Sequence, residues 1–148
     1  MRKRTPRQWR DPMACITRRM PIACDQQRDL GITYHASLQA LLLGYGTEQA
    51  WATLACTVNL AMLLAEAGIC AAALPGILLA QQALLRARER ALRTGTWALD
   101  GDGIRATLSA VNAHDEQISR ATRAQITAAI NAVHRRVEEG EIVCEAAT

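Results

Sequence analysis

Phenylalanine is absent from this 148-residue chain, and aromatic side chains make up only 3% of it. Half of the residues are nevertheless hydrophobic, and alanine and leucine supply most of them. Such a composition favours close contacts between helices over the aromatic and β-branched surfaces that sheets need. No stretch alternates apolar and polar residues for long enough to predict a strand. We therefore expect an all-α fold, and the length suits one domain with its own core.

Lysine is almost as scarce, because Lys3 is the single lysine among 17 basic residues. Basic residues are also missing between Asp29 and Arg86, where the only formal charges are Glu48 and Glu66. The net charge of +3 therefore conceals a strong asymmetry. The first 28 residues hold a concentration of basic side chains: Arg2, Lys3, Arg4, Arg7, Arg10, Arg18, Arg19 and Arg28.

Residues 1–28 are predicted to form an extended N-terminal arm, since three of the four prolines fall here and each disfavours helix just before it. The segment RKRTPRQWR should contact an anionic partner. Guanidinium groups suit phosphates and carboxylates, and tryptophan can stack on bases, so a nucleic acid and an acidic protein groove both fit. A solvated tail that aids solubility is the alternative. The candidate partner-binding residues are Arg2, Lys3, Arg4, Arg7, Trp9, Arg10, Arg18 and Arg19.

Cysteine pairs of the CxxC type are absent, and the five cysteines leave an odd one. They are Cys15, Cys24, Cys56, Cys70 and Cys144. This usage favours reduced thiols in a cytoplasmic protein over a secreted disulfide framework. Cys56 falls in a predicted helix, where a small buried thiol is expected. The residues after RKR form no apolar run before Arg18, so no signal peptide is predicted.

The first of two long helices is predicted from Thr47 onward. The Thr47 hydroxyl should cap the first turn, and Gly68 should end the helix in the left-handed conformation. Spacings of three and four place one buried stripe on it: Trp51, Leu54, Ala55, Val58, Met62 and Ala65. Asn59 and Glu66 each need a hydrogen-bond partner if they are buried, and another chain could provide it.

The second long helix is predicted to begin near Leu74 and Pro75, because proline is tolerated in a first turn, and to end at Gly95. The short connection predicts an antiparallel hairpin. Apolar side chains lie on nearly every side of this helix: Ile77, Leu78, Leu84, Leu85 and Leu92. Such a helix is buried in a bundle, in a homo-oligomer interface or in a membrane. Polar residues interrupt both helices before the ~20 apolar residues that a bilayer requires, so we prefer the bundle and expect no membrane contact.

Three further helices complete the predicted domain, which spans residues 29–140 and leaves 141–148 as a frayed tail. They cover 33–43, 103–119 with Asp102 as its cap, and a last helix that opens with a capping box of Thr122 and Gln125. Their buried residues follow the helical period: Tyr34, Leu38, Leu41 and Leu42; Ile104, Leu108, Val111 and Ile118; Ile126, Ile130, Val133 and Val137.

Patterns for catalysis or metal binding are weak. His35 has no second ligand at a useful spacing and is expected to be exposed, and residues 100–103 lack the further oxygen ligands of a calcium loop. His114 and Asp115 are adjacent on a helix, so they point about 100° apart and do not pair. We expect both on a polar face that also carries Asn112 and Gln117, and we predict no catalytic residue, metal site or cofactor.

Short motifs occur in a definite order along most of the chain, and their residues are Asp11, Pro12, Asp29, His35, Leu38, Gly44, Asn59, Ala61, Glu66, Gly68, Val111, Asn112, His114, Asp115 and Gln117. Their arrangement resembles a group of short uncharacterised proteins from phages and prophages of proteobacteria. The resemblance implies an accessory protein of a mobile genetic element rather than a metabolic enzyme. It further implies an anti-CRISPR-type inhibitor in the cytoplasm of the bacterial host, with a protein complex such as a CRISPR ribonucleoprotein as its target.

The favoured hypothesis is therefore a non-catalytic protein that binds a bacterial defence complex through protein–protein contacts and inhibits or remodels it. The alternative is a small nucleic-acid-binding regulator that uses the arginine-rich arm, and its binding should weaken steeply with salt. An enzyme is the least favoured class, because three histidines and five cysteines are scattered along the chain.

Overall fold

The computed structural model describes residues 12–143 and contains six α-helices and no strand in that range. The helices are α1 Pro12–Arg19, α2 Cys24–Leu42, α3 Glu48–Glu66, α4 Leu74–Thr94, α5 Gly101–Arg120 and α6 Arg123–Glu138. A 3₁₀ turn at Ala71–Ala73 precedes α4. The expected all-α fold is confirmed.

Helix α3 occupies the centre of the domain, because it packs against α2, α4, α5 and α6. Twelve of its 19 residues are buried. They include every member of the predicted stripe: Trp51, Leu54, Ala55, Val58, Met62 and Ala65. Helix α3, which contains no basic residue, therefore forms the centre of the core, and α2, α4, α5 and α6 pack around it.

Local capping chemistry sets several helix ends where the sequence predicted them. The Thr47 hydroxyl accepts a hydrogen bond from the Ala50 N–H at 3.1 Å. Thr122 and Gln125 form the reciprocal capping box at the start of α6. Gly68 and Gly95 follow α3 and α4 with φ of 95° and 75°, a conformation that favours glycine. These predictions are confirmed.

The described part of the predicted arm is largely helical, so the expectation of an extended chain over residues 12–28 is wrong. Pro12 is the first residue of α1, where its missing N–H leaves no intrahelical bond unmade. Pro21 lies in the short link between α1 and α2. Helix α2 begins at Cys24, well before the predicted start of its helix at Thr33. Residues 1–11 and 144–148 lie outside the described range.

Helix α5 also begins earlier than predicted, and its cap is Asp100 rather than Asp102. The Asp100 carboxylate accepts a hydrogen bond from the Gly103 N–H at 2.6 Å. This bond holds the pKa of Asp100 below its ordinary value. Two aspartates two residues apart give the same local signal, so only the path of the chain decides which one caps the helix.

Helix α4 is buried along one face only, so the prediction of burial on nearly every side is wrong. Its inner face, with Ile77 and Leu84, packs against α3 and α5. Five residues predicted as buried, in α4 and its neighbours, are exposed instead: Leu78, Leu85, Leu92, Leu108 and Ile130. Within the part of the chain that the structure describes, none of the helices is long and apolar enough to cross a bilayer.

Two smaller expectations are also corrected. The first residues of the predicted frayed tail belong to the domain, because Ile142 and Val143 pack against the core and the Val143 carbonyl accepts a hydrogen bond from Asn59 at 3.0 Å. Cys56, expected as a buried thiol, lies on the exposed side of α3.

We predict that replacing Gly46 by alanine destabilises the fold. Its backbone forms an antiparallel bridge with Trp97, and an added Cβ would overlap the Trp97 carbonyl oxygen. We expect Gly46→Ala to lower the free energy of unfolding by about 2 kcal/mol, because the clash is with backbone. Gly76→Ala is the control: its Cβ would meet nothing within 4 Å, and it should stabilise by up to about 1 kcal/mol. Urea unfolding followed by circular dichroism measures both, and equal stabilities would contradict this account.

Candidate functional site

The basic residues proposed from the sequence are only partly within the described range. Arg18 and Arg19 lie in the last turn of α1, and both are exposed. Helix α1 packs against α6, where the Met20 carbonyl accepts a hydrogen bond from the Arg123 N–H at 2.9 Å. The other six candidates lie outside the described residues: Arg2, Lys3, Arg4, Arg7, Trp9 and Arg10.

The outer side of α4 carries the leucine face, which we define as Leu78, Leu85 and Leu92. These residues are seven positions apart, so they lie on one side of the helix. They are 40%, 42% and 62% exposed. The neighbouring row contains Arg86, which pairs with Asp100 at 3.5 Å, and the exposed Arg93. The exposed Glu89 lies between Leu85 and Leu92. The outer side of α4 therefore combines apolar contact area with charged groups, two properties of a protein-binding surface.

A second cluster joins α2 to α5 through Asp115. The Tyr34 hydroxyl donates to Asp115 Oδ1, and His35 Nε2 lies 2.8 Å from Asp115 Oδ2. Burial raises the pKa of Tyr34 well above its ordinary value, and the hydrogen bond to Asp115 raises it further. Tyr34 therefore stays protonated as a donor, and the cluster holds two helices together. No pattern in the sequence indicates this cluster, because 80 positions separate His35 from its partner.

His114 and Gln117 lie on the buried side of α5 and not on an exposed polar face. His114 and Gln117 are 2% and 0% exposed, so the expectation that both are surface residues is wrong. Gln117 Nε2 donates to the carbonyls of Ala61 and Ile69, at 2.9 and 3.0 Å. Its Oε1 lies 3.2 Å from His114 Nδ1. The spacing of three residues between His114 and Gln117 indicates that they share one face of α5. Their polarity, however, led to the prediction that this face is exposed, whereas it is buried.

These contacts determine which nitrogen of His114 carries the proton. Both donors of the Gln117 amide point at carbonyl oxygens, so the Gln117 Oε1 that faces His114 can only accept. His114 Nδ1 must therefore carry the hydrogen and donate it. Nε2 is left as a bare acceptor, and no described residue forms a hydrogen bond with it. Burial lowers the pKa of His114, which keeps the ring neutral.

A cavity of about 360 Å³ lies beside His114, between α2, α3, α5 and α6. Apolar side chains from the four helices form most of its wall: Leu30, Leu60, Ile118, Ile126, Ile130 and Val133. Leu30 and Ile130 are partly exposed, so the cavity opens to solvent on their side. Its size falls within the range of small-molecule sites.

Asn59 and Glu66, whose partners the sequence left open, find partners within the chain. Asn59 Oδ1 accepts from Gln81 of α4 at 2.6 Å. The Glu66 carboxylate accepts two hydrogen bonds from the Arg136 guanidinium, at 3.2 and 2.7 Å. These bonds raise the pKa of Arg136 above its ordinary value. A second chain is therefore not needed to satisfy either residue.

In the part of the chain that the structure describes, no three side chains among histidine, cysteine, aspartate and glutamate lie close enough to hold a metal ion. The expectations of no catalytic residue and no cofactor stay predictions. Comparison with protein-family models, curated proteins and solved structures finds no match to this chain. Function must therefore be argued from the residues and their geometry.

Gln117 is predicted to be essential for stability. Gln117→Leu keeps the approximate volume but removes the donor to the carbonyls of Ala61 and Ile69, and it leaves the buried His114 Nδ1–H and the Ile69 carbonyl without a side-chain partner. Unpaired buried groups cost about 1–3 kcal/mol each, so we expect a loss of about 3 kcal/mol in the free energy of unfolding. The control is Glu116→Gln, which removes an exposed ion pair with Arg120 worth less than about 1 kcal/mol. Similar urea midpoints for the two variants would refute the role of Gln117.

The neutral His114 predicts a dependence of stability on pH. Because burial lowers the folded-state pKa below the ordinary 6.5, the unfolded chain takes up the proton first as the pH falls. Stability should be complete above about pH 6.5 and decrease below it, with a slope of at most about 1.4 kcal/mol per pH unit. Urea titrations from pH 7.5 to 5 measure this slope.

The slope should be smaller in His114→Gln than in the wild type. The other titratable groups that face His114, namely Tyr34 and the His35–Asp115 pair, are present in both proteins and cancel in the comparison. Equal slopes in the wild type and His114→Gln would contradict the prediction.

Proposed function

We propose that this protein is a non-catalytic phage or prophage accessory protein that binds a bacterial defence complex and inhibits or remodels it, as anti-CRISPR proteins do. The observation that carries the binding is the leucine face of α4, where three leucines in one row are at least 40% exposed. Large exposed apolar side chains grouped on one helix side among polar residues are typical of protein interaction sites. The resemblance to phage and prophage proteins supports the choice of partner, with a CRISPR ribonucleoprotein as the first candidate.

In this proposal α3 and α4 form an antiparallel hairpin that presents the leucine face. Two contacts support that pairing: Trp51 Nε1 donates to the Leu84 carbonyl at 2.8 Å, and Asn59 meets Gln81. Residues later in α3 thus meet residues earlier in α4. The buried face of α4 is fixed against this core, so the outer leucines can bind without rearranging the domain.

Charge indicates the kind of surface that the partner offers. Arg86 and Arg93 flank the leucine face, whereas Arg18 and Arg19 are exposed on α1, which packs against α6. An apolar groove with an acidic rim would complement both properties. We therefore place the contact on a protein component of the complex, in the cytoplasm of the bacterial host, and the arm residues remain proposed contributors to the same binding.

A nucleic-acid-binding regulator is the second candidate. The exposed guanidinium groups of Arg18 and Arg19, next to the predicted basic segment, support it. Binding of this type would rest on phosphate contacts and would weaken steeply with salt.

Leu92→Glu is predicted to reduce partner binding at least tenfold, because it places a charge in the leucine face. Ile32→Glu is the matched control, since Ile32 of α2 is 61% exposed and Leu92 is 62% exposed. Each protein is immobilised and incubated with nuclease-treated bacterial lysate, then washed at low and high salt, and the retained proteins are quantified by mass spectrometry. Circular dichroism checks that both variants fold.

A stoichiometric protein partner retained by the wild type and by Ile32→Glu, but lost from Leu92→Glu, is the expected result. Equal retention by both glutamate variants would exclude the leucine face. Nucleic acid that disappears with nuclease or salt would favour the regulator instead. Charge reversal at Arg18 and Arg19, and separately at Arg2, Lys3, Arg4, Arg7 and Arg10, tests the basic contribution.

A further inference from the structure

The cavity beside His114 has features that the helical fold does not require. It measures about 360 Å³, whereas an apolar cavity of about 150 Å³ is already large enough to hold benzene. Four helices contribute to its wall, so the space is a property of the whole bundle and not of one loop.

The wall is apolar except at a few points, and most of the polar atoms there are already engaged. The Tyr34 hydroxyl donates to Asp115, and the Thr57 hydroxyl donates to the Thr53 carbonyl of its own helix at 2.8 Å. The exposed His134 lies at the rim, and inside the cavity the exception is His114, whose Nδ1–H is directed to Gln117. Its Nε2 is an acceptor without a described partner in a residue that is only 2% exposed. A donor group on a ligand in the cavity can pair with this acceptor.

Charge further restricts the occupant. Among the described residues that line the cavity, none is lysine, arginine, aspartate or glutamate. Asp115 lies behind Tyr34 and would repel an anion. A carboxylate or phosphate would therefore find no counter-charge here, and a cation would lose its hydration without an adequate partner.

We infer that this cavity binds a small, neutral, mostly apolar molecule, about the size of indole, that carries one N–H or O–H group and donates it to His114 Nε2. The apolar wall would contribute most of the binding, and the single acceptor would select for the donor. This site is separate from the leucine face of α4, so ligand binding and partner binding can be measured independently.

The test compares two molecules of nearly equal shape, indole and indene, of which only indole has an N–H. Binding to the full-length protein is followed by NMR of the histidine side-chain nitrogens, which reports the tautomer of His114 directly. In the free protein we expect the proton on Nδ1 and an unprotonated Nε2. Indole should shift the Nε2 resonance and bind about tenfold more tightly than indene, the ratio that one neutral hydrogen bond gives.

Ile130→Trp is the blocking variant, because Ile130 is 41% exposed at the mouth, so a larger side chain can fill the cavity without disturbing the core. It should abolish the binding of both molecules, while Leu92→Glu on α4, which does not line the cavity, should bind indole as the wild type does. His114→Asn should bind indole and indene equally. If this last variant fails to fold, the tautomer and the indole-to-indene ratio of the wild type still decide the question.

Several results would overturn the inference. They are a proton on Nε2 in the free protein, equal affinities of the wild type for indole and indene, or indole binding that survives Ile130→Trp. No binding of indole up to its solubility would do the same. A shift of the His114 signals with protein concentration alone would show that a second copy of the chain fills the cavity instead.

Discussion

The buried amide of Gln117 is the contact on which the arrangement of the bundle depends. It reaches the Ala61 carbonyl in the middle of α3 and the Ile69 carbonyl beyond the end of that helix. One side chain of α5 therefore fixes both the position of the central helix and the path of the chain toward α4. A leucine would fill the same space, but it could not distinguish this register from one shifted by a turn, because apolar contacts are not directional. Polar complementarity supplies that specificity.

The same contact sets the chemistry of its neighbour. Because both Gln117 donors are used by backbone carbonyls, its oxygen dictates the tautomer of His114, and the outward nitrogen of the ring is left as an acceptor. A structural requirement of the core thus creates a chemically defined point on the cavity wall. The cluster of Tyr34, His35 and Asp115 works differently, since it lies nearer the surface and uses its hydrogen bonds to join α2 to α5. His35 and His114 therefore have different roles, because they differ in how deeply they are buried.

Sequence reasoning succeeded where the signal is local. Thr47, Thr122 and Gly95 act within three or four residues of themselves, and their roles at helix ends were predicted correctly. It failed where the answer depends on what a helix packs against. Leu92 and His114 are reversed relative to expectation, the leucine exposed and the histidine buried. Polarity alone predicts whether a single side chain is exposed or buried. The fold determines whether a whole helix face is exposed or buried. The cavity could not be predicted from the sequence either, because its wall is assembled from four helices.

The distribution of satisfied polar groups also constrains where this protein can interact. Asn59 pairs with Gln81 and with the Val143 backbone, and the exposed Glu66 pairs with Arg136, so these four side chains are already engaged within the chain. The two proposed sites use other groups, which are the exposed leucines on the outside of α4 and the Nε2 atom of His114 beside an apolar cavity. A protein partner can use the first because contact over a broad face offsets the entropy of association. A small molecule suits the second because a single donor, held in a shaped apolar space, is sufficient for selectivity. The leucine face and the cavity differ in size, and their proposed ligands, a protein and a small molecule, differ accordingly.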